Sequence, residues 1–185
     1  MLTGGLIFRR SASVLLCLNN KTLGKIIHKA CLFEQAFVLS IYGKHKMIWK
    51  KNTTIEQLNQ LCQHSAISHL GIEFTAQQND SLEATVSVDH RTTQPFGLLH
   101  GGISATLAET LGSAAALLCC EENQIPVGTE LNISHLKAIK SGKATGRATP
   151  LHLGKESQVW QVEIRDDAQQ LCAVARLSIK LLSQR

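Results

Sequence analysis

A long apolar run, GGISATLAETLGSAAALLCC over residues 101–120, constrains the whole chain. It reads as a helix of about five turns, some 30 Å long at ~1.5 Å per residue. Whatever else the chain builds has to bury it. Between residues 103 and 120 the polar exceptions are Ser104, Thr106, Glu109, Thr110 and Ser113. The last four are spaced i, i+3, i+4 and i+7 and so form one stripe. A solvated helix face usually carries several Lys, Arg or Glu. Here one carboxylate stands among small hydroxyls, which describes a face that is enclosed yet polar. Gly101 and Gly102 leave the first N–H groups of the helix without side-chain cover. Those donors and the positive end of the helix dipole favour developing negative charge, the requirement of an oxyanion hole.

The flanking sequence supplies the cover. Thr53 or Thr54 caps a short helix with Glu56 and Gln57 in its first turn and Leu58 and Leu61 on one face. Ile72 to Gln77 reads as a strand. Asn79-Asp80-Ser81 is a turn, and Leu82, Ala84, Val86 and Val88 alternate through a half-buried strand. His90 to Leu99 is a loop containing Pro95 and Gly97, and Glu121 to Gln124 is a second, polar loop. Four strand-like runs close the chain, over 127–136, 143–153, 158–165 and 171–181. Short turns between strands specify an antiparallel sheet. The expected architecture is α+β, an antiparallel sheet wrapped around one long central helix.

At 185 residues the chain has room for one domain with a sizeable core. Its net charge of +5 is unevenly held. Residues 1–46 carry seven Lys/Arg against the single acid Glu34, a surplus of +6. Residues 47–185 carry twelve basic and thirteen acidic residues, a balance of −1, which gives no electrostatic footprint for nucleic acid. The first 46 residues faintly resemble an organellar transit peptide through Arg9, Arg10, Ser11 and Ser13. Met47 opens the run MIWKK where acids begin to appear, so residues 1–46 read as an upstream extension with little packed structure. The domain is then 47–185. No run is expected to span a membrane. Six cysteines without a CxxC pair, two of them adjacent at Cys119-Cys120, read as free thiols of a reducing, cytoplasmic compartment. Scattered histidines give no metal-ligand spacing, and no metal or other cofactor is expected.

The run QPFGLLHGG…LAETLGS, from Gln94 to Ser113, resembles the signature of hotdog-fold acyl-CoA thioesterases. The likeness is greatest to the bacterial subgroup that includes 1,4-dihydroxy-2-naphthoyl-CoA hydrolases of menaquinone synthesis and the phenylacetic-acid-degradation type. It extends from Met47 to about Leu182 and includes VGTELN (Val127 to Asn132) and PLHLGK (Pro150 to Lys155). The resemblance implies hydrolysis of acyl-CoA esters, with aromatic acyl groups favoured. It implies Glu109 as nucleophile or general base and the Gly101 N–H as the donor that polarises the thioester carbonyl. Gln94 and His100 would line the same site, and Ser113 would support the water or the carboxylate. The CoA-binding positions it implies are Gly128, the segment His135-Leu136-Lys137-Ala138, and the segment His152-Leu153-Gly154-Lys155-Glu156-Ser157. Lys137 and Lys155 would meet phosphates as point charges; relatives often carry Arg there. The family's sites lie between two chains, usually within a dimer of dimers.

Two other classes fit the same residues. A hotdog dehydratase or hydratase also uses a His and an acid on acyl thioesters. A non-catalytic acyl-CoA binding module would bind without turnover. His100 is open between orienting the loop and transferring a proton. Trp49 and Trp160 are read as packing anchors.

Overall fold

The computed structural model describes residues 46–184. The expectation for the N-terminal extension falls, but for Lys46, outside them. Two short helices come first, α1 (Ile55–Leu61) and α2 (Ala66–His69). Strands β1 (Glu73–Gln77) and β2 (Leu82–Ser87) follow, then the long helix α3 (Gly101–Cys119). Strands β3 (Gln124–His135), β4 (Lys143–Leu153), β5 (Ser157–Arg165) and β6 (Leu171–Ser183) complete the domain. All pairings are antiparallel, and the strand order is β1-β2-β4-β5-β6-β3. This is the sheet wrapped on a central helix that the sequence predicts.

The period-2 alternation explains how the sheet holds the helix. Leu82, Ala84 and Val86 point inward from β2, Trp160, Val162 and Ile164 from β5, and Ala173, Ala175, Leu177 and Ile179 from β6. They meet Leu107, Ala108, Leu111, Ala115, Ala116 and Leu118 of α3, all without solvent exposure. Each fully buried Leu or Ile contributes about 1.5–3 kcal/mol by transfer from water. By length and composition α3 could cross a membrane, yet it is the core helix of this sheet. Its C-terminal end is closed by the segment before α1: Lys50 and Lys51 N–H both donate to Leu118 O, at 2.8 and 3.1 Å. Trp49 stacks on Trp160 with ring centroids 6.3 Å apart, which bears out their reading as anchors.

Several boundaries differ from expectation. Strand β3 begins at Gln124 rather than Val127, because β6 runs on to Ser183 and offers partners as far as the Gln124–Ser183 pair. Pro126 is tolerated because β3 is an edge strand. Helix α2 is a single turn capped by Ser65, too short for any periodicity to betray it. Of the two leucines on the apolar face of α1, Leu58 is buried and Leu61 is 69% exposed. Cys62, Cys119, Cys120 and Cys172 are free thiols, as expected.

Candidate active site

Helix α3 borders two clefts that share no lining residue. The larger, about 740 Å³, takes the stripe of α3 as its floor: Thr106, Glu109, Thr110 and Ser113 all line it. Its walls are apolar and come from distant parts of the chain, with Leu58 from α1, Ile67 from α2, Phe74 from β1 and Leu131 from β3. The stripe is therefore the floor of a cleft, not a solvated face. In a single chain all four stripe residues are half-buried.

Glu109 is the one ionisable carboxylate on that floor. Desolvation by the surrounding apolar walls raises its pKa above the ordinary glutamate value of 4.5, and the Ser113 hydroxyl beside it offsets part of the shift. Ser113 stands one turn further along, the i+4 neighbour on the same face. Thr106 is tied to its own helix, its hydroxyl donating to Gly102 O at 2.8 Å. Strand β3 passes close by, and the carboxylate Oε1 occupies the space that a Cβ at Gly128 would take.

The smaller cleft, about 370 Å³, lies at the start of α3. Gln94, Gly101 and Ser104 line it together with His135, Leu136, Lys137 and Ala138 from the end of β3 and the turn after it. Among the described residues no acceptor engages the Gly101 N–H, the first of the helix and an orphan by geometry. The His135 ring packs against this residue: a Cβ at Gly101 would sit 3.0 Å from His135 Nε2. Gln94 is pinned in its loop. Its backbone N–H donates to Leu98 O at 2.8 Å, and its side-chain Oε1 accepts from the Phe96 N–H. The side-chain nitrogen of Gln94 has no protein acceptor among the described residues.

His100 lines neither cleft. It is the N-cap of α3, and its Nδ1 accepts from the Gly102 N–H at 2.8 Å. The segment His152 to Ser157 forms the β4–β5 hairpin and lines neither cleft of a single chain. Lys137 Nζ stands 3.9 Å from Asp166 Oδ2, a loose pair. Lys155 O accepts from the Gln124 side chain at 2.9 Å. One chain thus brings Glu109 and Ser113 into one cleft, and Gln94, Gly101 and His135 to Ala138 into another. Sequence reasoning missed Ser104, which is buried in the second cleft, and the wall formed by Ile67 and Phe74.

Comparison with known proteins bears on what such a pair of clefts does. The family model described as Thioesterase superfamily matches residues 96–173. A proofreading thioesterase EntH from Cronobacter turicensis is 49% identical over 136 residues, covering 74% of this chain and 99% of that protein. The 1,4-dihydroxy-2-naphthoyl-CoA hydrolase of Escherichia coli is 47% identical over 136 residues, 74% of this chain and 100% of that enzyme. The crystal structure of a thioesterase from Haemophilus influenzae superposes with a TM-score of 0.73 at 55% identity, covering 74% of this chain and 96% of the other. Fold, matched segment and near-complete coverage of these relatives agree, and the chain belongs to the hotdog-fold thioesterase superfamily as a thioester hydrolase.

Proposed function

We propose that the chain hydrolyses acyl-CoA esters to free acid and CoA, and that the preferred acyl groups are aromatic, of the benzoyl or 1,4-dihydroxy-2-naphthoyl kind. One observation carries the reading: a single helix bears a desolvated carboxylate in an apolar cleft and an uncovered N–H at its start. The apolar walls of the larger cleft suit a ring, and a relative named for a naphthoyl-CoA ester supports the aromatic preference.

In this reading the Gly101 N–H donates to the thioester carbonyl oxygen, where charge grows as the carbon becomes tetrahedral. The Gln94 side-chain nitrogen is a second donor at the same cleft. Glu109 removes a proton from the attacking water, or attacks the carbonyl carbon itself to give an anhydride that water then cleaves. Either way the C–S bond breaks, CoA leaves as the thiolate, and water supplies the oxygen of the product acid. The Ser113 hydroxyl favours the charged form of the carboxylate, offsetting part of the upward push of desolvation. Lys137 and Lys155 meet CoA phosphates, with His135, Leu136, Ala138 and the hairpin from His152 to Ser157 along the nucleotide.

The two groups cannot serve one thioester from one chain. Eight residues of α3 separate them by about 12 Å along the axis, whereas attack requires about 3–3.5 Å between reacting atoms. We therefore propose a homodimer in which Gly101 of one copy faces Glu109 of the other, within a dimer of dimers. The free thiols of Cys62, Cys119, Cys120 and Cys172 support a cytoplasmic setting.

A thiol-release assay across benzoyl-, 1,4-dihydroxy-2-naphthoyl- and long-chain fatty-acyl-CoA tests the proposal. One free thiol per ester consumed is expected, with kcat/KM at least about tenfold higher for the aryl esters, roughly 1.4 kcal/mol in the transition state. Loss of water from hydroxyacyl-CoA without thiol release identifies a dehydratase. Saturable binding without turnover identifies a binding module.

A further inference from the structure

We infer that Gly128 is a positioning residue: its missing side chain on β3 is the space in which the Glu109 carboxylate is held. The inference rests on the reading of Glu109 as the reacting carboxylate, and it assigns Gly128 a role other than contact with CoA. Four observations carry it. A Cβ at Gly128 would collide with Glu109 Oε1 and lie 3.4 Å from Glu109 Cδ. The next atom, Leu177 Cδ1, would be 3.7 Å away, an ordinary contact. The backbone does not require glycine here, since among the described residues the glycines with positive φ are Gly71, Gly97 and Gly142. In a single chain Gly128 is also solvent-exposed on an edge strand, so no other packing within the chain calls for the absence of a side chain.

Glycine inside a strand weakens it, because it loses more backbone freedom on folding and packs nothing. Folding alone would favour another residue at this position, and the carboxylate explains why it is glycine. The β3–β6 register shifts between Gly128 and Glu130, and the Thr129 hydroxyl donates to Ser178 O at 3.0 Å across that irregularity. Bulges of this kind re-aim strands beside active sites. Here the bulge begins at the residue that touches Glu109. The group in the way of a new side chain is the end of a flexible one, so the chain would still fold. The carboxylate would swing aside instead, and a misplacement of about 1 Å costs on the order of 100-fold in rate. A methyl group against the carboxylate would also strip water from it and raise its pKa further.

The test is made in the full chain, with benzoyl-CoA as substrate. Gly128→Ala is expected to keep or raise the melting temperature while kcat falls on the order of 100-fold and the acid limb of the pH profile moves to higher pH. Gly112→Ala is the contrasting control, because its Cβ would meet Leu177 Cδ2 at 2.5 Å inside the core; it should lower the melting temperature. Glu109→Asp withdraws the carboxylate by one methylene, away from position 128. That variant is slower, but adding Gly128→Ala to it should cost far less than in the parent, a non-additivity that isolates the contact. If Glu109→Gln turns over normally, the reading of Glu109 itself fails. If Glu109→Gln is inactive while Gly128→Ala keeps full kcat, or raises KM alone, the positioning role is overturned and Glu109 stands. Equal losses from Gly128→Ala in both backgrounds, or a fall in kcat matched by a fall in melting temperature, overturn it as well.

Discussion

Gly101 and Glu109 stand eight residues apart on one helix and open onto different clefts. Under the proposed mechanism that relationship calls for two copies of the chain, and it can be tested by complementation. Glu109→Ala removes the carboxylate. Gly101→Pro removes the N–H, and the backbone accepts it: Gly101 is the first residue of the helix, and His100 before it has the extended φ −65° and ψ 133° that proline demands of its neighbour. His135 must yield slightly, since it packs against Gly101. Each variant alone should be inactive. In co-expressed mixed dimers, one site regains both groups and the other has neither, so activity should return to about a quarter to a half of wild type by site counting. Mixed dimers that form and stay inactive would place the whole site within one chain.

Glu109→Gln keeps the shape of the side chain and removes the carboxylate proposed as general base or nucleophile. We expect kcat to fall by about 10²–10⁴-fold while CoA-ester binding persists. Stability should move the other way. The folded state raises the pKa of Glu109, so the native chain holds this proton more tightly than the unfolded chain does. The wild type therefore loses stability as pH rises from the ordinary glutamate value of 4.5 through the raised native value. Glu109→Gln escapes that loss. Its melting temperature should exceed wild type at pH 7–8, and the gap should close towards pH 4. Melting curves at the two pH values check the sign.

Much of this arrangement was legible in the residues themselves. Strand β4 covers Lys143–Leu153 as expected, bounded by the Ser141-Gly142 turn and by Gly154, and α3 ends where the apolar run meets Glu121-Glu122. The stripe from Thr106 to Ser113 could be read because helical periodicity is local. What faces the stripe could not. Leu58, Ile67, Phe74 and Leu131 meet across the cleft through packing among four separate elements, and no spacing in the chain encodes that. The contact of Gly128 with Glu109 was hidden for the same reason, as it depends on how the sheet curves over α3. Nor could spacing show that Gln94 and Glu109 of one chain belong to different clefts.

Ser113 offers a finer probe of the same carboxylate. Its hydroxyl stabilises the charged form of Glu109 and so pulls the pKa down against the upward push of desolvation. In Ser113→Ala only the upward push remains. The acid limb of the kcat profile should shift to higher pH, while plateau kcat stays within about tenfold of wild type, about 1.4 kcal/mol. Ser113→Thr, which keeps a hydroxyl, should restore the position of the limb. An unmoved limb in Ser113→Ala would mean that this hydroxyl does not bear on the reacting carboxylate.

His100 is open from sequence between orienting the loop and transferring a proton, and its place as N-cap separates the two roles. The imidazole accepts from the Gly102 N–H through Nδ1, satisfying one orphan donor at the start of α3. Asparagine is among the best side chains for that duty but cannot act as a general acid or base at neutral pH. His100→Ala should lose the cap, costing about 1 kcal/mol and a few degrees of melting temperature. It should also weaken the reaction, because the Gly101 N–H next to the cap would be less firmly placed. His100→Asn should restore the melting temperature and bring kcat back to within about tenfold of wild type, less than the ~10²-fold that loss of a proton-transfer group costs at minimum. A variant that melts like wild type yet stays some 10²-fold or more slower would show instead that the imidazole handles a proton, and the cap would then be its secondary role.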